Sequence, residues 1–240
     1  AHVHFPASRE AAERIIKLGE RSETVFRVGC PRIDLVAEIL KDDFSEIDDE
    51  FLSRGVGSEI NLERPFVIVS QHPVTTEFGE GEKQISATLS AVCKIGIQAL
   101  VLWPNADAGS ETIARGIRKW REVGKAEGMR FFKNLPIETY VKLMNRARCL
   151  IGNSSSGIRE GAFIGTPVVN IGTRQSQRER GANVVDAISD TNDIVAKVSE
   201  QLAHGPYKME DIYGDGRAGQ RIAQIFSELD SIQIQKTITF

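Results

Sequence analysis

Two hydrophobic patterns alternate along most of this chain, and they predict different elements. Short, nearly unbroken apolar runs at 66–70, 99–103, 129–132, 149–151, 167–171 and 183–185 predict strands covered on both faces. Between them, apolar positions that recur every three to four residues predict helices over 82–95, 110–123, 137–147, 158–164 and 192–203. Strand followed by helix, repeated, is the signature of an α/β, Rossmann-like parallel sheet flanked by helices. In such sheets ligands bind outside the C-terminal ends of the strands. The loops at those ends are 71–79, 104–109, 133–136, 152–157 and 172–180, which are the polar and glycine-rich segments and carry His72.

The flanks are less regular. Ser8 stands where it can cap a helix over 9–18 that Gly19 stops, and a strand over 24–28 and a helix over 33–40 are expected after it. The acidic stretch 41–50 and the turn Gly55-Val56-Gly57 read as a connection. At the other end Asp215 stands ready to cap a helix over 216–229 whose face carries Ile222, Ile225, Phe226 and Leu229. Residues 232–240 alternate apolar and polar like a strand.

Composition narrows the function classes. A chain of 240 residues with 41% hydrophobic content can build real cores. Its net charge of -3, with basic residues spread along the sequence, gives no electrostatic footprint for nucleic acid. The apolar runs are far shorter than the roughly 20 residues of a membrane-spanning helix, and the first residues do not read as a secretory signal. Cys30, Cys93 and Cys149 lack metal-ligand spacing and are odd in number, so neither a disulfide framework nor a zinc site is expected. A cytoplasmic setting is the expectation. The chain opens at Ala1 and enters His2-Val3-His4-Phe5 like the tail of a strand, as a fragment would.

The chemistry concentrates in 151–175. Asn153-Ser154-Ser155-Ser156-Gly157 offers backbone N–H groups and hydroxyls where a helix from Ile158 would begin, and a helix N-terminus with unsatisfied donors attracts phosphate. Glu160, in the first turn, would repel phosphate and suits a pair of hydroxyls such as those of ribose. Plain capping, with Ser156 or Gly157 as cap and Glu160 favouring the helix dipole, is the alternative. The basic turn Gly172-Thr173-Arg174-Gln175 favours an anion.

Five segments resemble the hydrolysing UDP-N-acetylglucosamine 2-epimerase family, in particular its sialic-acid-pathway branch. They are Gln71-His72-Pro73-Val74-Thr75-Thr76, Trp103-Pro104-Asn105-Ala106-Asp107-Ala108-Gly109-Ser110, Gly152-Asn153-Ser154-Ser155-Ser156-Gly157-Ile158-Arg159-Glu160, Gly172-Thr173-Arg174-Gln175 and Tyr213-Gly214-Asp215-Gly216. The resemblance implies one half of a two-domain GT-B-type architecture, with 30–230 as the C-terminal nucleotide-binding domain, 1–29 as a remnant of the N-terminal one and 231–240 as a tail. It also implies UDP and UDP-sugar as ligands, no cofactor and no metal, and a homo-oligomer for the full-length protein. The reaction implied is loss of UDP with the sugar C2 proton, followed by hydration to N-acetylmannosamine.

The resemblance also implies residue roles. His72 would hydrogen-bond or protonate the departing diphosphate, its alternative being a loop histidine packed on Pro73. Asn105 would reach sugar or phosphate, with Asp107 shaping the loop. Turn chemistry and N-capping by Ser110 are the alternative there. Ser155, Ser156 and Gly157 would hold phosphate, Glu160 ribose, and Arg174 a phosphate or the uracil edge, unless Arg174 simply pairs with Glu179. The loop Asn134-Leu135-Pro136 would frame the base through its backbone. Two further readings stay open: the donor-nucleotide domain of a glycosyltransferase of the same architecture, and a non-catalytic nucleotide-binding fragment.

Overall fold

Phe66–Ser70 (β2) is buried at every position and forms the middle of the sheet, as its unbroken apolar run predicts. The computed structural model describes residues 1–41, 52–229 and 235. Seven strands lie in the order β1-β4-β3-β2-β5-β6-β7, where β1 is Val56–Gly57, β3 Gln98–Leu102, β4 Met129–Phe132, β5 Cys149–Gly152, β6 Val168–Ile171 and β7 Val184–Ala187. All pairings are parallel except that of β1 with β4. The α/β, Rossmann-like parallel sheet expected from the pattern is therefore present.

Helices cover both faces. The first two are α1, Arg9–Lys17, and α2, Pro31–Ile39, the second opened by a proline whose missing N–H costs nothing at that position. They are followed by α3, Gly81–Ile95; α4, Ser110–Glu122; and α5, Ile137–Arg146. Ile85 and Leu89 of α3 and Ile113 and Ile117 of α4 pack with Val67, Val69 and Val101 on one face. Leu143 and Met144 of α5 pack with Phe66, Ile68, Leu100 and Leu150 on the other. Each such side chain contributes about 2 kcal/mol when fully buried.

Chain order within the sheet decides where a ligand can sit. From β2 the chain steps outward to β3 and β4, then returns to the other side of β2 for β5, β6 and β7. The reversal falls between β2 and β5, the switch point where the loops leaving the strands diverge and open a crevice. His72 follows β2 and Asn153 follows β5, so the two motifs meet there. Gly152 makes the approach possible: its φ is 135°, and a Cβ on it would stand 2.1 Å from the Ser70 carbonyl oxygen.

Several expectations are corrected. The strand over 24–28 is absent: Ser22–Thr24 is a 3-10 turn, and a single bridge joins Val25 to His4 because no second neighbour continues the ladder. The turn at 55–57 instead gives the edge strand β1. The helix expected over 158–164 is two helices, α6, Ser155–Ile158, and α7, Glu160–Ile164, hinged at Arg159. It starts early because the Ser154 side chain accepts the Ser156 N–H at 3.4 Å, so the cap is Ser154 and not Ser156 or Gly157. After α8, Thr191–His204, the last helix α9 spans Ala218–Glu228, since Gly216 with φ of 86° cannot be helical. Asp215 does not cap it. Both its oxygens hold Arg221, at 2.6 and 2.7 Å, and the N–H groups of Ala218 and Gly219 donate instead to Asp34 of α2, at 2.9 and 2.6 Å. The expected strand over 232–240 and nearly all of the acidic connection 41–50 lie outside the described residues.

Candidate functional site

At the switch point a cleft of about 280 Å³ opens between the loops that follow β2, β3, β4 and β5. It gathers His72, Asn105, Ser155, Ser156 and Glu160 from the expected set. Arg32, Lys133, Tyr140, Ser154 and Arg159, which the sequence did not single out as ligands, line it too. Two larger cavities, of about 450 Å³ beside Arg27 and Arg221 and about 930 Å³ beside Cys93 and Trp120, lie elsewhere. Neither holds a buried ionisable side chain with an atom that lacks a hydrogen bond, and the cleft does. Among the described residues no three His, Cys, Asp or Glu side chains converge as a metal site would require, and the three cysteines are free, Cys93 standing exposed on α3.

One wall of the cleft is built on Asn153. This buried side chain accepts the His72 N–H at 2.7 Å and donates to the His72 carbonyl at 2.9 Å, which fixes the backbone on both sides of the histidine. Its own carbonyl accepts from Arg174 at 3.2 Å and from Gln175 at 2.9 Å, tying the β6–β7 loop to the same point. The Asn105 N–H donates to His72 Nδ1 at 3.2 Å. With Nδ1 an acceptor, the neutral ring carries its proton on Nε2. Burial, and then the positive charge of Arg174, push the His72 pKa down to about 4, with Asp107 opposing. His72 is therefore neutral at pH 7, and its chemistry is hydrogen-bond donation from Nε2.

Arg174 pairs with Asp107 at 3.1 Å, not with Glu179, whose carboxylate accepts the Glu10 N–H at 3.0 Å. Asn105 is exposed at the cleft mouth and Asp107 shapes the loop through its pair with Arg174. Ser110 does not cap α4: the cap position is Gly109, with φ of 87°.

The opposite wall is Ser154 to Glu160. Glu160 is 2% exposed, and its Oε1 lies 3.3 Å from Arg32 Nε. Its Oε2 lies 3.5 Å from Arg159 Nε but accepts no hydrogen bond. A buried carboxylate oxygen left in that state is costly unless something fills it. Arg32 and Arg159 stand beside it, and the oxygen without a hydrogen bond has room to accept one from a donor such as a hydroxyl. Beside it, Tyr140 Oη lies 2.7 Å from Ser156 Oγ, which lies 2.8 Å from Ser154 Oγ. Gly157 takes no part in the lining. A Cβ there would meet Val168 at 2.9 Å, so this glycine lets α6 lie close on the sheet, and its N–H is taken by the Ser154 carbonyl at 3.2 Å.

The profile of the UDP-N-acetylglucosamine 2-epimerase family matches residues 1–227. A UDP-N,N'-diacetylbacillosamine 2-epimerase (hydrolyzing) of Legionella pneumophila is 30% identical over 229 residues, which are 95% of this chain and 58% of that protein. The polysialic acid biosynthesis protein P7 of Escherichia coli is 30% identical over 199 residues, 82% of this chain and 48% of that protein. This chain thus spans about half the length of these relatives. Among solved structures, the UDP-GlcNAc 2-epimerase from Neisseria meningitidis bound to UDP-GlcNAc superposes with a TM-score of 0.74 at 15% identity, over 95% of this chain and 62% of that one.

Proposed function

This chain belongs to the UDP-N-acetylglucosamine 2-epimerase family, and on that premise we propose that it holds the nucleotide in a hydrolysing epimerase that converts UDP-N-acetylglucosamine and water to N-acetylmannosamine and UDP. The observation that carries the reading is Glu160, a buried carboxylate with one oxygen that lies by Arg159 and accepts no hydrogen bond at the cleft. It accepts the two ribose hydroxyls. The hydroxyl and amide of Ser155, and the Arg174 guanidinium once it turns from Asp107, hold the diphosphate, with Ser156, engaged by Tyr140 and Ser154, standing behind them. His72 donates from Nε2 to a phosphate oxygen and stabilises charge as the C1–O bond breaks. Asn105, at the cleft mouth, reaches the sugar side, and the Asn134-Leu135-Pro136 backbone frames the base.

The reaction also needs a base for the C2 proton and an acid for the hydration step. The remaining ionisable groups of the cleft wall are the basic residues Arg32, Lys133 and Arg159 and the phenol of Tyr140, which burial holds protonated and the serines engage. We therefore assign nucleotide holding to residues 30–230 and the sugar proton transfers to residues in the further length that the relatives carry. Residues 1–29 belong, on this proposal, with that further part, in keeping with α1, which buries none of its residues fully.

Calorimetric titration of UDP, with GDP as control, tests the reading. Binding selective for UDP that falls at least 10-fold in Glu160→Gln, about what one charge-assisted hydrogen bond contributes, is expected. Equal affinity in parent and variant would remove Glu160 from the site. In the full-length protein, UDP-N-acetylglucosamine alone should yield free N-acetylmannosamine and UDP, and a requirement for an acceptor would favour a transferase.

A further inference from the structure

The hydroxyl chain in the cleft wall has a direction, and a residue outside the expected set fixes it. Tyr140 Oη makes its close hydrogen bond to Ser156 Oγ at 2.7 Å, with Ser154 also within its reach. Burial raises the Tyr140 pKa above the ordinary phenol range, so the hydroxyl keeps its proton and must place it. Its closest acceptor is Ser156 Oγ, with Ser154 Oγ beyond it in the same chain. The Ser156 proton is then directed to Ser154 Oγ at 2.8 Å, which also accepts the Ser156 N–H at 3.4 Å. With two donors arriving, Ser154 Oγ has its lone pairs occupied and a single unassigned proton. Ser154 is half-buried and lines the cleft, so that proton is available to an acceptor oxygen there.

We propose that Tyr140 is a positioning residue whose hydroxyl orients Ser156 and, through it, sets Ser154 as a hydrogen-bond donor to the diphosphate of the bound nucleotide. The direction matters because a serine hydroxyl is indifferent on its own: it can accept as readily as it donates, and a rotor pointing its lone pairs at a phosphate oxygen repels it. A phenol at the far end of a two-serine chain removes that choice before the ligand arrives. Tyr140 itself touches no phosphate. The backbone is arranged for this by two elements packed on the same sheet face: Tyr140 lies on α5, and the serines cap and open α6.

The inference rests on the reading of the cleft as a nucleotide diphosphate site, and the experiment separates the two. UDP and uridine are titrated into the parent, Tyr140→Phe, Ser156→Ala and the double variant, with thermal melting to establish that each is folded. The expected result is a loss of UDP affinity of about 3- to 10-fold in Tyr140→Phe, the worth of one oriented hydrogen bond, with uridine affinity unchanged. Ser156→Ala should lose UDP affinity as well, and adding Tyr140→Phe to it should cost nothing further, because the two act in series. A parent that binds UDP no better than uridine overturns the diphosphate reading and the inference with it. A parent that prefers UDP, with Tyr140→Phe equal to it, overturns the inference alone. So does a variant that loses uridine and UDP in equal proportion, since that is the mark of a general packing defect.

Discussion

The two walls of the cleft are finished to different degrees. On the His72 wall the protein engages most of its own polar groups: Asn153 holds both backbone groups of the histidine, Asn105 occupies Nδ1, and Arg174 has Asn153 and Asp107, which leaves His72 Nε2 and the Gln175 side-chain oxygen. On the Glu160 wall it does not: Glu160 Oε2 is buried without a hydrogen bond, and the serine chain ends in an uncommitted proton. A wall so engaged is a positioned one, its groups placed before any ligand arrives. An unsaturated wall is a receiving one, because buried polar capacity left empty costs stability that a ligand recovers. The contrast predicts that substitution of Asn153, which holds the first wall together, damages the fold, and that substitutions on the second wall damage binding.

The largest effect is expected at Asn153. Asn153→Ala strands a buried N–H and carbonyl of His72 and should cost about 3 kcal/mol in urea unfolding. A cost below about 1 kcal/mol would mean that the wall is not held from this point. The histidine itself provides the next test. Its folded pKa, about 4, lies below the 6.5 of the unfolded chain, so between those values the unfolded state binds more protons. The stability due to neutral His72 is complete above pH 6.5 and is lost as pH falls to about 4. The loss should reach about 3 kcal/mol, and the corresponding slope should be missing from His72→Gln. A variant with the parent's slope would place the acid sensitivity elsewhere. Arg174→Ala, the smallest change, removes a charge that depresses the His72 pKa, so the ring should titrate at higher pH by NMR. It should cost about 1 kcal/mol of stability through two lost hydrogen bonds. An unmoved His72 titration would uncouple the two loops.

Most of the sheet was legible because each strand is buried on both faces, which leaves a continuous apolar run: Phe66–Ser70 and Met129–Phe132 coincide with their predicted bounds. The flanks misled where a local signal met a stronger tertiary partner. Asp215 has the right position to cap α9, but Arg221 engages both its oxygens, and Asp34, 184 residues from Ala218 in sequence, takes the cap. Residues 24–28 have strand composition and only His4 beside them. At the cleft, Ser155, Ser156 and Glu160 could be chosen from a polar loop after a strand and the helix that opens behind it, and His72 and Asn105 from the resemblance of their motifs. Tyr140 could not. It sits in an amphipathic helix where an aromatic residue reads as core, and only the packing of α5 on α6 brings its hydroxyl to Ser156. Arg32 escaped for a similar reason, since 128 residues separate it from Glu160. Gly157 looked like part of an anion loop, and its distinguishing feature is its closeness to Val168.

The account stands on Glu160 as a receiving carboxylate, and the most direct measurement pairs UDP affinity with stability in Glu160→Gln. The prediction is at least a 10-fold weaker UDP complex from a protein whose unfolding free energy is little changed, since the amide keeps the shape and the two arginines it leaves, Arg32 and Arg159, reach solvent. A variant that is destabilised by several kcal/mol, yet binds UDP as the parent does, would contradict it. Glu160 would then be a structural ion-pair partner of Arg32 and Arg159, and the receiving wall would have to be sought elsewhere in the cleft.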